Sequence, residues 1–138
     1  MALRADGPRW QPPPVIRVLW IGVFGFIGTI ARYAAQGAVQ RLTGGTFPYG
    51  TLAVNVVGSF IVGCVATLAL ERAAIGPMWR TAILVGFCGG FTTYSAFAYE
   101  TFELIRTGDL FRGLASVALH LGLGLAAVWL GYAAAMKL

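Results

Sequence analysis

The chain has 138 residues, of which 58% are hydrophobic and 11% are charged, and its formal net charge is +5. A mean hydropathy of +0.76 and so few charges exclude an ordinary soluble domain, in which about 25% of residues are charged, and predict a single domain embedded in a bilayer. The basic residues are spread singly near the ends of apolar segments, which excludes a nucleic-acid-binding role and places them among lipid headgroups.

The first segment, residues 1–14, is polar and rich in proline. Because proline is not accommodated in a helix interior, this segment is predicted to be a flexible N-terminal lead-in. The remainder, residues 15–138, is predicted to form one domain of four transmembrane helices.

The first span runs from about Ile16 or Val18 to Val39 and is apolar except for Arg32. A buried guanidinium costs at least a few kcal/mol, so Arg32 is expected either to extend to an interface or to meet carbonyl or carboxylate partners. Three glycines at a spacing of three predict a stripe of close helix contact. They are Gly22, Gly25 and Gly28.

The second span, Tyr49–Leu70, is long enough to cross a bilayer. Asn55 lies about a third of the way along it, with Thr51 and Ser59 four residues to either side on the same face. In an apolar span an amide must find a hydrogen-bond partner. Asn55 therefore either joins two helices or donates its NH₂ group to a dehydrated anion.

The third apolar segment, Met78–Ile105, has 28 residues, which exceeds the roughly 20 needed to cross. Two half-helices separated by a break at residues 89–93 explain the excess, and discontinuous helices of this kind supply ion sites in transport proteins. Backbone carbonyls freed there must be buried in protein or used around an ion, so a cation site is expected. Gly86 and Gly90 form a G-x-x-x-G pattern, which is typical of close helix packing.

Two aromatic residues follow the break. Tyr94 and Phe97 stand three residues apart and project from one helical face. Because the edge of an aromatic ring is electron-poor, the pair offers a weakly electropositive surface to a small anion. Glu100, Glu103 and Arg106, nearer the far end of the span, are expected to be solvated or interfacial.

The fourth span is predicted at about Leu114–Met136, after a helix stop at Gly108 and a cap at Asp109. Ser116 and His120 share one face of it. His120 is a candidate proton relay in principle, but without an acidic partner in the spans it is expected to be packed or to line water.

Loop charges give only a weak preference for one orientation. The side shared by the N-terminus, the second loop and the C-terminus has four basic residues against three on the other, once Arg4 and Arg9 of the lead-in are discounted. Such a balance allows insertion in both directions and pairing with an inverted copy. The basic residues compared are Arg17, Arg72, Arg80 and Lys137 against Arg41, Arg106 and Arg112.

Three sequence motifs together resemble the Fluc (CrcB-type) fluoride channel family over almost the whole chain after the lead-in. They are residues 28–33 (GTIARY), residues 50–55 (GTLAVN) with Gly58, and residues 86–97 (GFCGGFTTYSAF). The resemblance implies an antiparallel, dual-topology homodimer with two fluoride pathways and a central sodium ion that is structural and not transported.

The same resemblance assigns roles to single residues. It implies that the backbone carbonyls of Gly89 and Thr92 hold the sodium ion, that Asn55 is the pore asparagine, and that Tyr94 and Phe97 line the fluoride path. Two departures stand out. Tyr94 replaces a phenylalanine and adds a hydroxyl, which either donates to fluoride or holds it too tightly. Ser116, His120 and Gly124 occupy the place of a track of hydroxyl-bearing side chains.

These features predict passive, fluoride-selective efflux across the bacterial cytoplasmic (inner) membrane by a multi-pass channel. Fluoride is strongly hydrated, so its water must be replaced by hydrogen-bond donors, for which the candidates are Asn55, Thr51, Thr93, Ser95 and Tyr94.

Three other classes are considered. A small proton-coupled drug exporter needs a carboxylate in the middle of a span, whereas the acids here lie at span ends or in loops. A non-transporting assembly protein would have no use for the polar interruption in the third span. An enzyme is not expected, because no nucleophile, base and orienting group converge by spacing.

Overall fold

The computed structural model describes residues 13–138, and all regular secondary structure within that range is helical. The predicted lead-in, residues 1–14, lies outside the described residues except for its last two positions, as do Arg4 and Arg9. The helices are α1 (Pro14–Thr43), α2 (Tyr49–Leu70), α3 (Pro77–Thr81), a π-helical segment (Ala82–Cys88), α4 (Gly89–Phe91), α5 (Tyr94–Arg106) and α6 (Leu110–Met136).

Four stretches of the described chain are helical, long and apolar enough to cross a membrane: α1, α2, residues 77–106 and α6. The four predicted spans are therefore confirmed. We call residues 77–106 the third span. The helix bounds of α2 are those predicted from the sequence.

The first span is longer than predicted at both ends. It begins at Pro14, because a proline in the first turn has the right φ and loses no internal hydrogen bond. It continues to Thr43 and ends at Gly44, whose φ of +63° is in the left-handed region that glycine adopts readily.

The start of the fourth span follows its predicted signals. Gly108 has a φ of +91° and stops the preceding helix. The Asp109 side chain then accepts a hydrogen bond from the backbone N–H of Arg112 at 3.1 Å and caps α6. The helix thus begins at Leu110, four residues before the predicted Leu114.

The third span is interrupted as predicted, but over a shorter stretch. Gly89–Phe91 remain helical, and only Thr92 and Thr93 leave the helical conformation, with φ/ψ of −90°/161° and −151°/106°. The span also contains the π-helical turn Ala82–Cys88 just before the break, which the sequence did not indicate. Turns of this kind are rare and occur often at functional sites.

Glycines bring the third span against α1. A Cβ at Gly28 would meet the backbone of Phe87, and a Cβ at Gly90 would meet the carbonyl of Gly25. Gly86 similarly faces the backbone of α1. By contrast Gly22, although it belongs to the predicted stripe, has open space around it.

Helices α2 and α6 pack together along their length. Gly63 lies against the backbone of Val128, and Gly131 lies against that of Phe60. The Cys64 thiol donates to the Gly131 carbonyl at 3.2 Å. These contacts hold the face of α6 that carries His120 beside α2 and α5.

The glycine contact between α1 and the third span yields a first prediction. Gly28→Ala should lower the free energy of unfolding by about 1–3 kcal/mol, since the new methyl group collides with backbone that cannot rotate away. Gly22→Ala is the matched control on the same helix, and it should leave stability unchanged or raise it by up to about 1 kcal/mol. Denaturant titration of both variants in detergent measures the difference, and equal stability would contradict the packing described here.

Candidate functional site

The break in the third span is held by a side chain of α2. Asn55 Nδ2 donates to the Thr93 carbonyl at 3.1 Å, and the Thr93 N–H donates to Asn55 Oδ1 at 2.7 Å. Both polar groups of the Thr93 backbone are therefore paired, where an unpaired group would be costly in an apolar environment. This pairing matches the helix-joining role considered for Asn55, and it uses one of the two N–H bonds of Nδ2.

Helix α5 restarts on a cap that the break itself provides. The Thr93 hydroxyl accepts a hydrogen bond from the Ala96 N–H at 3.2 Å, which is the usual role of a threonine at a helix N-cap. The Thr92 hydroxyl instead donates back to the Cys88 carbonyl at 2.9 Å. The two threonines thus end one half-helix and begin the next.

An aromatic groove of about 320 Å³ opens beside the break. Tyr94 and Phe97 meet edge to face, with ring centroids 5.6 Å apart and an interplanar angle of 65°. The imidazole of His120 lies against Phe97 at a centroid distance of 4.2 Å. The residues lining this aromatic groove are Asn55, Ser59, Val62, Thr92, Tyr94, Phe97, His120, Leu121 and Val128.

The aromatic groove collects four of the seven residues predicted for the anion path, namely Asn55, Tyr94, Phe97 and His120. The other three, Thr51, Thr93 and Ser95, do not line it. Thr93 is buried and its hydroxyl caps α5, with the Ser95 hydroxyl 3.4 Å away.

Two polar residues of the groove, Ser59 and Thr92, were missing from the predicted path. Ser59 donates to the Asn55 carbonyl at 2.7 Å within its own helix. Its place one turn beyond Asn55, on the same face, was the signal that the sequence offered.

The carbonyls of Gly89 and Thr92 border the break. Among the hydrogen bonds between described residues, none has either oxygen as its acceptor. Gly89 is exposed, and its Cα has open space around it. No group of three or more His, Cys, Asp or Glu side chains converges among the described residues.

A polar groove of about 660 Å³ lies nearer the α5 end of the third span, between α1 and α5. The Thr51 hydroxyl donates to Glu100 Oε1 at 2.8 Å and accepts from Gln36 Nε2 at 2.9 Å. Glu100 Oε2 is buried and has no hydrogen-bond partner in the described chain. Gln36 and Glu100 line this polar groove, together with Tyr33, Gln40, Thr46, Tyr99, Glu103 and Thr107 among others.

This network corrects the expectation that Glu100 is solvated or interfacial. Its carboxylate lies partly inside the protein, because α5 turns it toward Thr51 on α2. Glu103 and Arg106 behave as expected, since they form an ion pair of 2.6 Å with the arginine side chain 59% exposed.

Two further residues singled out from the sequence, Arg32 and Ser116, differ in their partners. Arg32 is half-buried and makes no hydrogen bond or ion pair within residues 13–138, so neither expected type of partner comes from this part of the chain. Ser116 is fully buried and shares a hydrogen bond of 2.9 Å with the Thr101 hydroxyl. This bond joins α6 to α5 next to His120.

The sequence matches known proteins over nearly this whole region. Residues 19–132 match a family described as CrcB-like protein, Camphor Resistance (CrcB). Three relatives share the name Fluoride-specific ion channel FluC. They come from Geobacter sulfurreducens (43% identity, covering 88% of this chain and 98% of the relative), Opitutus terrae (46%, 87% and 92%) and Solibacter usitatus (44%, 84% and 95%).

The pairing of Asn55 with the break yields a second prediction. Asn55→Ala should lower the free energy of unfolding by about 1–3 kcal/mol, because the backbone N–H and C=O of Thr93 lose their partners inside the protein. Ser59→Ala removes a hydroxyl that bonds only to its own helix, and it should cost less than about 1 kcal/mol. Denaturant titration in detergent compares the two, and a smaller loss for Asn55→Ala would contradict the assigned role.

Proposed function

The chain belongs to the CrcB family, and on that premise we propose that it is a fluoride-selective ion channel that exports fluoride passively across the bacterial cytoplasmic membrane. The observation that carries the proposal is the aromatic groove, where an amide, two aromatic rings and an imidazole surround a break in a membrane-spanning helix. The family is one of ion channels, and the protein is not an enzyme.

The chemistry of the aromatic groove suits a small anion. The rings of Tyr94 and Phe97 meet edge to face and line the groove, and an aromatic ring is electropositive at its edge. Asn55 Nδ2 keeps one N–H that no described residue accepts. Helix α5 also begins here, and the N-terminal end of a helix carries a partial positive charge. Together these groups replace part of the water that surrounds fluoride.

The charges around the groove favour a passive channel. Among the residues that line the aromatic groove, none is Asp, Glu, Lys or Arg. A proton-coupled exporter would need a carboxylate in its path that alternates between protonated and ionised forms. The partly buried carboxylate of Glu100 lies in the polar groove instead and is bonded to Thr51.

We propose that the complete channel is an antiparallel homodimer with a structural sodium ion at its centre. Each chain offers the carbonyls of Gly89 and Thr92, and an inverted copy would double the number of oxygen ligands, as a two-fold interface requires. The exposed Gly89 leaves room for a second backbone. When bound, the ion would supply fixed positive charge near the anion path.

Large exposed apolar side chains also support the proposal that another subunit or lipid covers the outer surface. Phe26 of α1 is 69% exposed and Tyr94 of α5 is 79% exposed. The nearly balanced loop charges allow two orientations of the same chain.

Selective transport is the third prediction. Purified protein in liposomes should release fluoride and not chloride, and Phe97→Ile should reduce fluoride release by about 3- to 10-fold, as expected from the loss of one aromatic contact. Phe102→Ile, on the exposed part of the same helix, is the control and should retain the wild-type rate. Ion-selective electrodes measure both anions. Equal chloride release would reject selectivity, and equal rates in the two variants would reject the aromatic groove as the path.

Sodium dependence is the fourth prediction. Replacing sodium by an equal concentration of potassium or of a bulky organic cation should lower the thermal unfolding midpoint by about 5 °C or more, because a ligand that binds only the folded dimer stabilises it. Tryptophan fluorescence follows the melt. Elemental analysis should find one sodium ion for every two chains. Identical midpoints in all three cations would contradict a structural sodium site.

A further inference from the structure

His120 is the one histidine of the chain, and it lies on the aromatic groove. Its Nδ1 is 2.9 Å from the Ser116 carbonyl. Because a carbonyl oxygen only accepts hydrogen bonds, Nδ1 carries a proton. In the neutral ring Nε2 therefore has a lone pair and no hydrogen. That atom is buried and has no hydrogen-bond partner in the described chain.

Because the tautomer is fixed, the neutral and the protonated imidazole have opposite effects on an anion near Nε2. The neutral ring has a lone pair at Nε2, which repels fluoride. The protonated ring has an N–H donor at Nε2 and a full positive charge beside Phe97. A buried N–H without an acceptor is costly, so the protonated state needs the partner that fluoride would provide.

Resting on the proposed function, we infer that His120 is an anion-binding residue of the aromatic groove that binds fluoride through Nε2–H when protonated, so that acid increases conduction. The imidazolium also lies 4.2 Å from the Phe97 ring, centroid to centroid, where cation and ring attract each other. Proton and fluoride therefore stabilise each other's binding.

The groups around His120 do not offer another explanation for a pH dependence of conduction. Helix α2 faces it with Asn55 and Ser59, which do not titrate in this range. Helix α5 contributes the phenol of Tyr94 to the same groove. The Glu100 carboxylate is also on α5, but it lines the polar groove and bonds to Thr51.

The transport test compares pH profiles in liposomes at fluoride concentrations below saturation. Protein-free vesicles at each pH provide the background, since hydrogen fluoride crosses lipid unaided. Wild-type release should rise by about tenfold between about pH 8 and about pH 5, as expected for one charge-assisted hydrogen bond. In His120→Gln, whose amide does not titrate, release should change by less than about twofold over the same range. Glu100→Gln, in the polar groove, should keep the wild-type pH dependence.

A second measurement uses the unmodified protein and does not depend on transport. In tag-free protein labelled with ¹⁵N-histidine, the imidazole signals come from His120 alone. Their titration midpoint should move to higher pH when fluoride replaces chloride. A midpoint that fluoride does not move, or a pH profile that survives in His120→Gln or disappears in Glu100→Gln, would overturn the inference. If the wild type releases no fluoride at any pH, the proposed function itself fails.

Discussion

An interrupted helix in a membrane leaves backbone groups that need partners, and in this chain Asn55 pairs with both of those of Thr93. Water is absent from the bilayer core, so each unpaired N–H or C=O costs several kcal/mol. One primary amide pairs with both polar groups of Thr93, because it has a donor and an acceptor side by side. The break therefore stays open at a defined place, and α5 can restart with a new direction and its own cap.

The position of the break also depends on close backbone contact on its other side. Gly86 and Gly90 allow the first half of the third span to lie directly against α1. Gly58 allows α2 to approach Thr92, whose methyl group occupies the space a side chain would take. With the first half-helix packed against α1, and with α5 packed against α2 and α6, the rings of Tyr94 and Phe97 line the groove. The proposed anion path thus depends on small residues that never touch the ion.

His120 illustrates how the surroundings of a residue in the fold decide what it can do. From the sequence it was a solitary histidine without an acidic partner. In the fold its ring lies on Phe97, while Ser116 fixes its tautomer. A residue with a hydroxyl at this place would donate to an anion at every pH, whereas an imidazole donates from Nε2 only when protonated.

The sequence by itself determined the class of protein, the four spans, the cap at Asp109 and the place of the interruption. These features depend on local chemistry, namely hydropathy, proline and glycine backbone preferences, and a segment too long for one straight crossing. It also identified Asn55, Tyr94, Phe97 and His120 as residues of interest.

Only the tertiary structure decided which groups meet. The Thr51 to Glu100 hydrogen bond joins residues 49 positions apart, and Asn55 reaches across 38 positions to Thr93. Helical periodicity assigns a residue to a face of its own helix, but the neighbour of that face is set by packing between helices, which local sequence patterns do not encode.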